Sequence, residues 1–324
     1  MLRRILLVLA FVIALLALAW GALALHYAGP PSLATALPIA WLAAGLALFL
    51  LVRPAWRGLI AFAVACALLL LWWHGIEPRN DRDWQEDVAH PPTGEVNGEF
   101  LTIHNLRNFD YRSDTDFSPS WETRTYDLSQ LRGVDLFLAH WGSPAIAHTI
   151  LSWDFGRGDH LAISIETRKE KGEEYSAVAG FFKQYELYYV AADERDVIRV
   201  RSNVRNEDVS LYRLRAPLER VRALLLDYVQ RMNELAATPV FYEAATQNCT
   251  TTIRMHNRHV GPVQPWDWRM LVNGYLDDML YEQGTIDTSL PLAELQARSQ
   301  ISERARAARD DPAFSTRIRE GLPD

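Results

Sequence analysis

The first 76 residues contain no aspartate or glutamate, and three apolar runs fill most of that stretch. Ile5 to Leu25 is unbroken, and Leu33 to Val52 is interrupted only by Thr35 and Pro38. The third run, from Gly58, ends in Trp72-Trp73, an aromatic pair suited to headgroup depth. A helix needs roughly 20 apolar residues to cross a bilayer, so the first two runs fit and the third is short. A membrane region with three transmembrane helices is therefore expected over residues 1–75.

The strong bases of this region are Arg3 and Arg4, before the first run, and Arg53 and Arg57, between the second and third. The loop from His26 to Ser32 has none. Loop arginines mark the cytoplasmic side, so the N-terminus lies inside and everything after Trp73 lies outside. Ala22-Leu23-Ala24 resembles a signal-processing site, but cleavage there would leave the rest on the same side. Setting the four arginines aside leaves 29 basic against 40 acidic residues. That balance is a poor match for a phosphate backbone, and nucleic-acid binding is excluded. The expected location is the bacterial inner membrane, with the soluble part in the periplasm and the lipid bilayer as first partner.

Residues 76–98, with Pro78, Pro91 and Pro92, read as a linker. Short β-branched and aromatic runs follow at Phe100–His104, Val134–His140, Ala147–Phe155, Leu161–Glu166, Glu186–Ala191, Val197–Arg201 and Val209–Leu214, and read as strands. Gly156-Arg157-Gly158-Asp159 is a tight hairpin connection. From Pro217 to Leu235, Val221, Leu224, Leu225, Tyr228, Val229 and Met232 recur at helical spacing, and a second helix is expected to start at Cys249. Leu290 to Arg309 has the pattern of a weak amphipathic surface helix. Strands followed by helices predict an α+β domain with an antiparallel sheet over 99–270 and a helical extension over 271–324.

Of the two cysteines, Cys66 lies in the third apolar run and Cys249 deep in the soluble part, too far apart in setting to form a disulfide. A lone thiol in an oxidising compartment needs an explanation, and burial as a small hydrophobe is one. Asn248, however, is a favoured N-cap, which makes Cys249 the first residue of a helix. The free N–H groups there lower a thiol's pKa and can bind an oxyanion. The base such a sulfur needs is best supplied by His148, just after the Ser143-Pro144 turn, with His160 and His140 in reserve. A hairpin loop of Gly156–Asp159 sets Thr167 opposite His148, whereas a one-residue bulge brings Glu166 there, the better partner for an imidazole. His256-x-x-His259 shows no carboxylate nearby, so neither a metal nor a cofactor is expected.

Several blocks together resemble one family. Phe109-Asp110-Tyr111-Arg112-Ser113-Asp114, Ser143 to His148, Ser164 to Glu170, Tyr185-Glu186-Leu187 and Asn248-Cys249-Thr250-Thr251 are similar to the Lnb N-terminal periplasmic domain family, over roughly Phe100 to Arg258. The resemblance implies a circularly permuted papain or NlpC-type fold in which the histidine strand precedes the cysteine helix. Some members of that family are lipoprotein N-acyltransferases, which load an acyl chain on the cysteine and pass it to an amine. It therefore implies a Cys249–His148 dyad carrying out acyl transfer or hydrolysis through a thioester, with lipoprotein or phospholipid as substrate. A cysteine peptidase or amidase acting on cell-wall peptide, and a non-catalytic envelope-binding domain, remain open alternatives.

Overall fold

Long stretches of apolar residues, with Pro38 confined to the first turn of its run, let each N-terminal run close its backbone hydrogen bonds as a helix. The computed structural model describes residues 1–262 and 265–323. It divides into two units. The first holds α1 (Leu2–Tyr27), α2 (Ala36–Leu51) and α3 (Ala55–His74). Ile5–Tyr27 and Ala55–His74 are long and apolar enough to cross a membrane. The expectation that the second run fits and the third is short is thereby reversed: α3 gains Ala55–Arg57 and His74 at its ends, whereas at 1.5 Å per residue the 16 residues of α2 reach only about 24 Å, short of a ~30 Å hydrocarbon core. Ala14, Leu18 and Phe62 form the seam between the three helices, with Trp41 and Phe49 against them. Gly45 permits the approach, because a Cβ there would lie 2.4 Å from Leu18 Cδ1. Outward-facing Leu16 and Leu71 are about two-thirds exposed or more, an apolar surface that water does not tolerate in quantity.

The second unit is a mixed-sheet α+β domain. Its strands are β1 (Thr93–Asn97), β2 (Phe100–Arg107), β3 (Asp110–Tyr111), β4 (Phe117–Ser118), β5 (Trp121–Asp127), β6 (Gly133–His140), β7 (Ala147–Asp154), β8 (His160–Arg168), β9 (Glu186–Ala192) and β10 (Asp208–Arg213). The main sheet runs β1-β2-β9-β8-β7-β6-β10, with β5 also on β2 and β3 paired with β4. The expected all-antiparallel sheet is corrected at one place: β2 meets β9 in parallel, Arg107 against Ala192. The cause is a buried ion pair. Arg107 Nη2 lies 2.8 Å from Asp196 Oδ1, and Phe109 N–H donates to the same carboxylate at 2.7 Å, which pins the ends of the two strands side by side.

Two further sequence readings change. Residues 93–97, taken as linker, form β1 along β2. Val197–Arg201, taken as a strand, is helical: α4 (Glu194–Val197) starts on an Asp193 side chain that caps Arg195 N–H, and a π-turn over Val200–Val204 follows. A capping aspartate overrides the β preference of the valines behind it.

The central strands β6 to β9 are buried on both faces. On one side α5 (Leu218–Ala237) brings Tyr228 against Trp153 and Tyr189. On the other, Phe137, Ile150 and Val209 pack with residues of α9 (Ser302–Ala308) and α10 (Phe314–Arg317), which follow α6 (Cys249–Val260), α7 (Leu276–Glu282) and α8 (Leu292–Ser299). Ile301, Ala305, Phe314 and Ile318 are fully buried there. Leu290–Arg309, expected as one surface helix, is thus two helices that help close the core. Arg319 adds a polar tie, 2.7 Å from both Asp135 and Glu194.

Candidate active site

The register of the β7–β8 hairpin decides which side chains meet. Asp154 pairs with His160, so the connection is Phe155–Asp159, one residue longer than expected. Phe155 N–H to Asp159 O at 3.0 Å and Asp159 N–H to Gly156 O at 2.9 Å close it. Gly156 and Gly158 take φ of 77° and 86°, conformations glycine adopts without strain. The ladder runs back to Ile150 opposite Ser164, and two residues further the same register sets Glu166, rather than Thr167, opposite His148. The longer loop does the work assigned to a bulge.

His148 is buried at the end of this ladder. Its Nε2 lies 2.6 Å from Ser164 Oγ and 3.0 Å from Glu166 Oε1, while Ser164 Oγ donates to the same Oε1 at 2.7 Å. Arg201 bridges behind, its Nη2 3.0 Å from Glu166 and its Nη1 3.1 Å from Glu207. With Nε2 facing this group, Nδ1 is the nitrogen left for a second partner.

That partner is Cys249. A capping box starts α6: Asn248 Oδ1 accepts Thr251 N–H at 2.9 Å, and Thr251 Oγ1 accepts Asn248 N–H at 3.0 Å. Cys249 is the first helical residue, half-buried and unpaired, as is Cys66. The His148 imidazole and Thr149 stand close enough to its sulfur to act on its ionisation, and Thr250 Oγ1 lies 3.8 Å from it. The buried Thr149 hydroxyl has no hydrogen-bond partner among the described residues. Asn273, from the stretch before α7, brings Nδ2 to 3.7 Å from the sulfur and 2.9 Å from Thr250 Oγ1. Its Oδ1 accepts Ala147 N–H at 2.9 Å. Gly274 makes this approach feasible, since a Cβ there would stand 2.0 Å from Pro144 O.

The electrostatics favour charge separation. Burial raises the Cys249 thiol, but the hydrogen bond and charge of His148, with the Thr149 donors, bring it down to about 6. Burial and Arg201 oppose protonation of His148, yet Glu166 and the thiolate outweigh them and lift it to about 9. Burial also works against ionised Glu166, and His148 and Arg201 hold its carboxyl well below the usual range. Between those limits the resting pair is thiolate and imidazolium.

Of the residues named from sequence, Cys249, His148 and Glu166 are brought together. Asn248 serves as N-cap, but its amide Nδ2 is spent on Ala244 O at 2.9 Å, so the side-chain amide nearest the sulfur's surroundings is that of Asn273. His160 Nδ1 is engaged with Gly158 O and His140 Nε2 with Gly274 O, each at 3.0 Å. Sequence reasoning missed Ser164, Arg201, Thr149 and Asn273. Ser164 had a signal, because residues two apart share a strand face and it precedes Glu166 by two. The absence of a carboxylate near His256 and His259 is corrected: Asp227 of α5 lies 2.6 Å from His256 Nδ1 and 3.1 Å from His259 Nδ1.

The chain thus joins an α+β domain, with a thiol beside a strand histidine, to three apolar helices of which two are long enough to cross a membrane. The family model for the Lnb N-terminal periplasmic domain matches residues 117–274. The match includes His148, Glu166, Cys249 and Asn273, and leaves out the Phe109–Asp114 block. No curated protein and no solved structure matches the chain.

Proposed function

We propose that the domain is a Cys–His thiol enzyme that carries out acyl transfer or hydrolysis at the outer face of a bacterial inner membrane. The observation that carries this reading is a thiol at the first position of α6 beside a buried strand histidine whose Nε2 is held by Ser164 and Glu166, an arrangement that lowers the thiol and raises the imidazole. In the first half-reaction the Cys249 thiolate attacks an ester or amide carbonyl. The carbonyl π electrons move onto oxygen, and the oxyanion is met by helix N–H groups and by the Asn273 amide. As the tetrahedral species collapses, the bond to the leaving group breaks, His148 delivers its proton to that group, and a thioester remains. In the second, neutral His148 takes a proton from an amine or water, which attacks the thioester and restores the thiolate. Glu166, with Ser164 and Arg201 around it, fixes the imidazole's orientation and its charge.

The order of β7 before α6 supports a permuted papain-like arrangement, with the histidine strand ahead of the cysteine helix. The three apolar helices support three spans, α2 being completed by flanking residues, with Arg3, Arg4, Arg53 and Arg57 on the cytoplasmic side. Lipoprotein or phospholipid is the proposed substrate, since a domain tied to the bilayer reaches molecules that do not leave it. The test compares lipoprotein N-termini and muropeptides by mass in cells carrying the parent protein or Cys249→Ala. A change in lipoprotein acylation supports transfer to an amine. Altered muropeptides with unchanged lipoproteins would replace lipid by cell-wall peptide as substrate, and no change in either refutes the enzyme reading.

A further inference from the structure

α6 carries a second polar cluster two turns beyond the thiol. His256 and His259 are three residues apart and share one face of the helix, and Asp227 reaches them from α5. One Asp227 carboxylate is 2.6 Å from His256 Nδ1 and 3.1 Å from His259 Nδ1. One ligand atom from each of the three residues fits within a 4.8 Å group. We propose that this cluster is a site for a divalent transition cation of the zinc class, independent of the Cys249 chemistry.

Three features support a cation over a simple hydrogen-bonded trio. Two imidazoles and one carboxylate form a borderline nitrogen–oxygen donor set that suits zinc, cobalt or nickel, and they leave one or more positions to water. Coordination through His256 Nδ1 requires the ring proton on Nε2, and there Tyr189 Oη stands 2.6 Å away to accept it. That is the outer partner that metal-binding imidazoles almost always have. Accessibility is graded: the His256 side chain is 1% exposed, Asp227 19% and His259 55%, so the innermost ligand is fixed while the outermost swings toward solvent to admit the ion. The ring of Tyr228, centred 3.9 Å from that of His256, holds the inner imidazole in plane. A bound ion joins α5 to α6 and stiffens the helix whose first residue is Cys249.

The experiment uses the full chain in detergent, without a histidine tag, and with Cys66→Ala and Cys249→Ser to remove the thiols as competing ligands. After treatment with a chelator, Co2+ is titrated while its ligand-field absorption is followed, and Zn2+ is titrated as a competitor. The expected result is one Co2+ per chain, displaced by Zn2+, with a Kd of about 10 μM or tighter. His259→Ala, at an exposed position that leaves folding intact by circular dichroism, is expected to weaken binding at least about 100-fold, and Tyr189→Phe about 10-fold. Absence of saturation by that concentration, or an unchanged Kd in His259→Ala, overturns the proposal.

Discussion

Replacing His148 by alanine isolates what the imidazole does to the sulfur. Burial raises the Cys249 thiol, while the imidazole, its positive charge and the Thr149 donors lower it, and the balance lies at about 6 against an ordinary value of 9.0. Three units correspond to about 4 kcal/mol of preference for the thiolate. Without the ring, burial faces only Thr149 and the helix N-terminus, so the thiol is expected to return to about 9 or higher. The assay is the pH dependence of iodoacetamide alkylation, in a Cys66→Ala background so that one thiol reports. A thiolate of higher pKa is intrinsically more nucleophilic, which offsets part of the loss at any single pH, so the midpoint rather than one rate is the reading. The midpoint is expected near 6 in the parent and about three units higher in the variant. A His148→Ala midpoint still below about 7 would show that something other than the imidazole ionises the sulfur, and the ion-pair reasoning would fail.

Turnover is expected to follow a bell in pH, rising near 6 as the thiol loses its proton and falling near 9 as the imidazolium loses its own, measured as kcat/KM on a thioester-forming substrate. Glu166→Gln removes a charge that raises His148, so the alkaline limb is expected to move to lower pH while the acid limb rises, narrowing the bell. Phe314→Ala deletes a fully buried ring from α10 and is expected to cost about 3–5 kcal/mol, read as a lower urea midpoint.

Much of this arrangement was legible in residue order. The helix from Pro217 and the Asn248 cap before Cys249 depend on neighbours within one or two turns, and each produced the element expected, while the apolar runs gave three helices of other lengths than expected. What failed depended on distant partners. The parallel contact of β2 with β9 rests on Arg107 finding Asp196; the helical turn at Val197 is the exception, a local aspartate cap at Asp193 overriding β-branched residues. The core role of Ile301 and Ala305 could not be read from Leu290–Arg309, whose local pattern is weakly amphipathic. At the site, the sulfur, ring and carboxylate carried chemical signatures, whereas Arg201 and Asn273 are ordinary surface-type residues until the fold brings them in. Asp227 likewise reaches His256 across a 29-residue separation that no local spacing reveals.

The connection between β7 and β8 begins seven residues from His148, about 23 Å along the strand at the usual rise. Yet its length sets whether Glu166 or its neighbour answers the imidazole. Removing one residue from Phe155–Asp159 would turn the acidic side chain to the opposite side of the strand without touching any reactive atom. Variation in this distant turn is therefore tolerable in composition but not in count, and single-residue indels there are expected to silence the thiol as surely as replacing it.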